Sequence, residues 1–283
     1  MSRPEFCTYE TAWCPGCGNH SILECLKTAL ERLDRKPTEI LLAAGIGQAA
    51  KTPQYLNANA FCGLHGRALP AAVAAKIANE NLTVIVDTGD GDSYGEGGNH
   101  FIHNIRRNVD IAHFVHDNQV YGLTKGQASP TSAEGMVTGV QVEGSMNEPM
   151  NPMLMAIAAG AGFVARAFTG NKEHLISVMM QAVEYKGYAL VDILQPCVSF
   201  NKINTFAWYA NRVYELDDSY DPADKVSAMQ RAMEIGDRIP IGVLYREQKR
   251  TFHEKNPVLR NGAPLVDRES DRSVIKRLIQ EFV

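Results

Sequence analysis

Apolar and polar positions along this chain fall into two alternating rhythms. After Asn19 and His20, apolar residues recur at Ile22, Leu23, Leu26, Ala29, Leu30 and Leu33, the spacing of one helix face, with Ser21 as a candidate cap. Residues 39–44 (EILLAA) then run apolar without a break and stop at Gly45, as a strand buried on both faces does. The alternation continues with a helix at 67–79, a β-branched strand at 82–88, a short helix at 98–107 and a strand at 111–117. It resumes with a helix near 152–161, a strand at 163–168, a helix at 171–186 and a strand at 188–194. Residues 118–151 carry no periodicity and many Gly, Ser, Thr and Pro; a loop of that length is usually functional or disordered. Strands separated by such helices predict parallel crossovers, hence an α/β fold with a doubly wound, mostly parallel sheet.

Beyond residue 205 the chain becomes more charged, with an apolar island at 239–244 and a short amphipathic end at 273–283. We therefore expect a core domain at 1–205 and a C-terminal extension at 206–283. Composition does not disturb this picture. A net charge of −4 without a Lys/Arg block argues against nucleic acid and membrane surfaces. No apolar run approaches the roughly 20 residues of a membrane span. The residues ahead of Cys14 contain no apolar stretch that would mark secretion. Six cysteines in 283 residues are too few for a disulfide scaffold, so a reducing, cytoplasmic setting is expected.

Ligands on doubly wound sheets bind outside the C-terminal strand ends, and residues 87–100 (DTGDGDSYGEGGNH) lie at one of them. A solvated glycine loop is the plain reading. A calcium loop starting at Asp90 would place Tyr94 at its fifth position and Phe101 at its twelfth, which fails. A dinucleotide fingerprint fails as well, because Tyr94 occupies the third glycine position and the loop is acidic where a pyrophosphate would lie. A magnesium–diphosphate site fits better. Asp90 and Asn118 are 28 residues apart and follow successive strands, so they share one sheet edge. Magnesium takes one or two carboxylates plus phosphate oxygens, and Gly89 and Gly91 let backbone approach a phosphate closely.

The GDG of residues 89–91, followed by DNQVYG at 117–122, resembles the thiamine diphosphate signature. The wider segments WCPGCGNHSIL, LHGRALPAA, GDGDSYGEGGNHFIHNIRRN, DNQVYGLTKGQASPTS and LQPCVSFN resemble, in this order from about residue 10 to 205, the β subunit of 2-oxoacid:ferredoxin oxidoreductases. The tail with IPIGVLY is similar but less specific. The resemblance implies Mg²⁺ held by Asp90, the Asn118 side chain and the Val120 carbonyl. It implies a thiamine diphosphate site lined by Ile46, Gly47, His65, Gly89, Asp90, Gly91, Asp92, Asn118, Val120, Gly122 and Leu123. The activity it implies is oxidative decarboxylation of a 2-oxoacid, with coenzyme A taking the acyl group and electrons leaving singly through an iron–sulfur cluster to ferredoxin. It also implies an α subunit that supplies the pyrimidine half of the thiamine site, so this chain alone should be inactive.

Residues 12–18 (AWCPGCG) admit four readings. Two are ordinary thiols and a redox dithiol; the latter lacks a preceding strand. The third is zinc on Cys14, Cys17, Cys62 and His65, whose two halves are 44 residues apart. The fourth is a [4Fe–4S] cluster, for which the resemblance implies Cys14, Cys17, a cysteine in the GIG loop and Cys197. The loop reads GIGQAAK, so Gln48 stands where the family usually has cysteine, and the fourth ligand lies open between Gln48 and Cys62. Cys7 and Cys25 read as ordinary thiols. For the substrate, Lys51 is the leading cation and Leu123 the pocket residue, with Lys125 and Arg67 as further cations. An apolar Leu123, where pyruvate-specific relatives tend to be polar, together with a nearby lysine, favours 2-oxoglutarate or a broad range. A non-redox thiamine decarboxylase or synthase subunit, and a redox-inert zinc module, are the competing functions.

Overall fold

The computed structural model describes residues 6–7, 9–269 and 272–282. Its strands are β1 (Ile40–Ala44), β2 (Asn59–Cys62), β3 (Thr83–Gly89), β4 (Ile111–Asp117), β5 (Val120–Tyr121), β6 (Gln127–Ala128), β7 (Phe163–Phe168), β8 (Tyr188–Leu194), β9 (Val213–Glu215) and β10 (Ile239–Arg246). The helices are α1 (Gly18–Arg32), α2 (Ala68–Ala78), α3 (Gly98–Arg107), α4 (Pro152–Ala159), α5 (Lys172–Glu184), α6 (Phe206–Ala210), α7 (Lys225–Ala232), α8 (Phe252–Lys255) and α9 (Arg272–Gln280). Eight strands form one sheet in the order β2-β1-β3-β4-β8-β7-β10-β9. Every neighbouring pair is parallel except β10 with β7.

The period-two alternation within the central strands builds a core on each face. On one face Ile85, Phe114 and Val191 meet Ile22, Leu26 and Leu30 of α1 and Leu175 and Met179 of α5. On the other, Val84, Val86, Val115 and Leu190 meet Leu69 and Val73 of α2, Phe101 and Ile105 of α3, and Met153 and Ile157 of α4. Both faces being covered is why these strands read as unbroken apolar runs rather than alternating ones. The predicted α/β class and the ten elements read from periodicity are present, each with ends within about four residues.

Four short strands carry no apolar pattern. All four residues of β2 are exposed at the sheet edge, β5 and β6 form a two-residue-strand hairpin inside the 118–151 loop, and β9 pairs only with β10. The apolar island at 239–244 is β10, which joins the main sheet antiparallel to β7. Residues beyond 205 therefore contribute two strands to the same sheet. The end of the chain forms α9, with Ile275 and Ile279 exposed. Among the described residues, no helix is long and apolar enough to cross a membrane.

Candidate active site

The loops after β1, β3, β4 and β8 meet at the C-terminal edge of the sheet. The chain leaves β3 at Asp90 straight into a π-helical turn, Gly91–Glu96. This turn packs under the hairpin: a Cβ added at Gly91 would lie 2.3 Å from Tyr121 Cε1. The Tyr121 hydroxyl is 3.2 Å from Glu96 Oε2. Asp92 ties the loops together. Its Oδ1 accepts the backbone N–H of Ile46 at 3.0 Å and of Gly66 at 2.8 Å, and lies 2.8 Å from His65 Nδ1. Burial raises the Asp92 pKa, and those two N–H groups pull against the rise.

Asp90 is buried, and its Oδ2 accepts the Ser129 hydroxyl at 2.5 Å and the Thr131 hydroxyl at 2.7 Å. Burial raises its pKa, and both hydroxyls oppose the rise by favouring the anion. Thr131 also lies 2.7 Å from Asp117, whose pKa is driven well above the carboxylate range by burial and by Asp192 and Asp90. Gln119 sits between Asn118 and Val120 with φ of 60°. This left-handed residue turns the chain sharply; it is held by Ser132, whose hydroxyl donates to the Gln119 carbonyl at 2.5 Å. Asn118 Oδ1 accepts the Val120 N–H at 3.0 Å; a carbonyl oxygen keeps a second lone pair for a cation.

One cleft is lined by Ile46, Gly47, Gln48, His65, Gly89, Asp90, Gly91, Asp92, Asn118, Val120, Gly122 and Leu123, so all the residues expected at the thiamine site line one opening. Its donors are a carboxylate, an amide carbonyl and backbone carbonyls, hard oxygens of the kind magnesium takes. Lys51 lies on the short helical turn Ala49–Gln54, half-buried and outside this lining. Lys125 and Arg67 are exposed and also outside it.

A second cavity abuts the first. Cys14, Cys17 and Cys197 line it with Trp13, Asn19, Gln195, Ser199 and Gln48. Gln48, Asn118 and Gly122 line both cavities. Donors already point at the sulfurs: Ser199 Oγ to Cys14 Sγ at 3.1 Å and Gln195 Nε2 to Cys17 Sγ at 3.4 Å. Burial pushes the Cys17 thiol up to about 11. The Gln48 Oε1 atom is buried without a hydrogen-bond partner. This donor set, three thiols, N–H and O–H groups on sulfur and one spare carbonyl, fits an iron–sulfur centre.

Cys62 is exposed at the end of β2 and lines neither cavity. His65 lines the first cleft, held by Asp92. The four residues considered for zinc thus lie in three different places. Among the described residues, no three His, Cys, Asp or Glu side chains are close enough to hold a single metal ion.

Sequence reasoning missed Gln195 and Ser199, which line the three-thiol cavity, and Ser129, Thr131 and the pair Asp87–His116, which are buried. For the last pair a signal was available: Asp and His inside strands otherwise apolar on both faces.

A sheet of this topology, with GDG and Asn loops converging on a cleft of hard oxygens, defines a thiamine diphosphate-binding subunit. Residues 41–193 match the family model "Thiamine pyrophosphate enzyme, C-terminal TPP binding domain", and residues 197–261 match the family model for the C-terminal part of the pyruvate ferredoxin oxidoreductase β chain. A 2-oxoacid:ferredoxin oxidoreductase subunit beta from Saccharolobus solfataricus is 43% identical, covering 86% of this chain and 84% of the relative. A 2-oxoglutarate oxidoreductase subunit KorB from Mycobacterium tuberculosis is 39% identical over 82% of this chain and 58% of its own length. Among solved structures, the 2-oxoglutarate:ferredoxin oxidoreductase from Magnetococcus marinus, with 2-oxoglutarate, coenzyme A and succinyl-CoA bound, superposes with a TM-score of 0.89 at 34% identity, covering 96% of this chain and 94% of that one. The chain belongs to the 2-oxoacid:ferredoxin oxidoreductase β-subunit family, and is thus a subunit of an oxidoreductase.

Proposed function

We propose that this chain is the thiamine- and cluster-bearing subunit of an enzyme that oxidatively decarboxylates a 2-oxoacid, 2-oxoglutarate before pyruvate, passing electrons to a ferredoxin and the acyl group to coenzyme A. The observation that carries this reading is the common wall. Gln48, Asn118 and Gly122 line both a cleft of hard oxygens and a cavity of three thiols. A decarboxylase without redox chemistry has no use for the second cavity.

Asp90, Asn118 and the Val120 carbonyl would hold Mg²⁺ and with it the diphosphate. Ser129 and Thr131 donate to Asp90 and so favour the anionic form that task needs. Ile46 and His65 are fixed through Asp92 and shape the cleft before any ligand enters. When bound, thiamine diphosphate supplies the electron sink for decarboxylation. The chain's own part is to place it, exclude water with the 118–151 loop, and hold an electron acceptor beside it. Cys14, Cys17 and Cys197 would ligate that acceptor, and Gln48 is the fourth-corner candidate by position. The remaining half of the thiamine site would come from an α subunit, and Leu123, exposed in the cleft lining, would meet the substrate. The preference for 2-oxoglutarate rests on the apolar Leu123 in the cleft lining and on four of the relatives and the structural neighbour being named for that acid.

The test is the assembly with its α subunit, purified anaerobically. Iron, acid-labile sulfide, zinc and thiamine diphosphate are assayed together with coenzyme A-dependent viologen reduction on 2-oxoglutarate and pyruvate. Three to four irons per chain and faster turnover of 2-oxoglutarate are expected. Thiamine without iron would transfer the protein to the non-redox decarboxylases, and zinc in place of iron would remove the electron-transfer claim.

A further inference from the structure

Beneath the N-terminus of α1 lies a polar chain inside an apolar core. Asp87 of β3, His116 of β4 and Asn19 of α1 are all fully buried. His116 Nε2 is 2.9 Å from Asp87 Oδ1, and His116 Nδ1 is 2.7 Å from Asn19 Oδ1. Neither Asp87 oxygen has any other polar partner. Burying three polar side chains costs several kcal/mol unless each is satisfied. Asp87 and His116 Nε2 have only their ion-pair contact, and Asn19 Nδ2 is left without an acceptor. Asn19 lines the three-cysteine cavity, two residues after Cys17.

We propose that Asn19 is a positioning residue for the iron–sulfur centre, its side-chain N–H directed at the cluster sulfurs by His116, which Asp87 in turn holds. The inference rests on the cluster reading above. The logic is that of directionality. The arrangement requires both ring nitrogens of His116 to carry a proton, Nε2 toward Asp87 and Nδ1 donating to Asn19 Oδ1; the oxygen so fastened turns the amide's N–H group the other way, toward the cavity that Asn19 lines. A sulfur-rich anionic cluster is the acceptor this orphan donor lacks. Donors to the sulfurs stabilise the reduced, more negative state and raise the potential. Gln195 and Ser199 already contribute donors from the chain after β8, and Asn19 supplies one from α1.

The experiment uses the α–β assembly, reconstituted anaerobically, with the cluster potential measured by EPR-monitored redox titration. Asn19→Ala removes the donor, and Asn19→Asp keeps the oxygen facing His116 while replacing the N–H by an anionic oxygen. Asn19→Ala should shift the oxidised-to-reduced ratio about tenfold toward oxidised at a fixed potential, roughly 59 mV for one electron. Asn19→Asp should shift it further in the same direction. Iron content reports whether either variant still loads. Independently of any variant, ¹⁵N-asparagine labelling of the native chain should produce a nitrogen hyperfine coupling to the reduced cluster in pulsed EPR. Unchanged or raised potentials in loaded variants, or no asparagine coupling in the native protein, overturn the role of Asn19 and leave the cluster standing. A native assembly without iron overturns both.

Discussion

Gly91 is followed by a helical turn and has an ordinary backbone conformation, so on propensity alone alanine there should stabilise the chain by about 0.5–1 kcal/mol. Packing predicts the reverse. The added Cβ would lie 2.3, 2.7 and 2.8 Å from Cε1, Cδ1 and Cζ of Tyr121, so the ring must move, and it stands on the hairpin strand that follows Asn118. Overpacking of this kind costs about 1–3 kcal/mol. The net for Gly91→Ala is thus a loss of about 1–2 kcal/mol, or roughly 2–8 °C in thermal midpoint for a domain of this size. Because the hairpin carries Val120 and Gly122, affinity for magnesium–thiamine diphosphate should fall with it, by up to about tenfold per 1.4 kcal/mol. The assay is a double-mutant cycle with Tyr121→Ala, followed by thermal unfolding and cofactor titration of the assembly. The two substitutions should be strongly non-additive, since the methyl does no harm once the ring is gone. Additive losses would refute the argument that the ring is what excludes a side chain at Gly91.

Gln48→Cys should complete a four-thiolate set and lower the cluster potential, whereas Cys62→Ser should leave iron content unchanged; loss of iron in Cys62→Ser would mean that Cys62 is a ligand after all. Lys51→Ala should raise KM for 2-oxoglutarate more than for 2-oxobutyrate, because only the dicarboxylate has a second charge to lose, and equal effects would dismiss Lys51 as the reader of that charge. His113 is fully buried among Thr88, Ser93 and Tyr188, and burial lowers its pKa from 6.5 to about 3. The unfolded chain therefore binds the extra proton first, so this contribution to stability is complete above about pH 6.5 and is lost as the pH falls toward 3. Denaturant titrations of His113→Gln across that range should show a flatter acid limb than the native chain, and parallel limbs would show that His113 does not govern it.

The architecture was legible wherever burial imposes a period. Helix α1 announces itself through Ile22, Leu26 and Leu30 because that stripe must face β1, β3 and β4, and the parallel strands announce themselves as unbroken apolar runs because both faces are covered. Strand β2 could not be read: NAFC lies exposed at an edge and owes its pairing to the neighbouring β1 backbone. At the site, the glycine and acid positions were legible because they cluster locally. The groups that tune them were not. Gln195 reaches Cys17 across 178 residues and Ser199 reaches Cys14 across 185, and ordinary polar residues at the end of a strand carry no local mark of such a task. His116 and Asn19 are a milder case, since His in IAHFVHD is conspicuous for its surroundings although its partner is not.

Asp92 holds one further consequence. A single carboxylate oxygen fastens the chain after β1, the turn at Gly66 and the imidazole of His65 to the loop that carries Asp90. Three segments that would otherwise fluctuate independently become one body. The conformational entropy of arranging the cleft is consequently lost when the chain folds and not when the ligand arrives. Removing that carboxylate should therefore act as a slackened hinge does: the same ligand contacts remain available, yet each encounter must first gather the loops, and the association becomes slower and more strongly temperature-dependent.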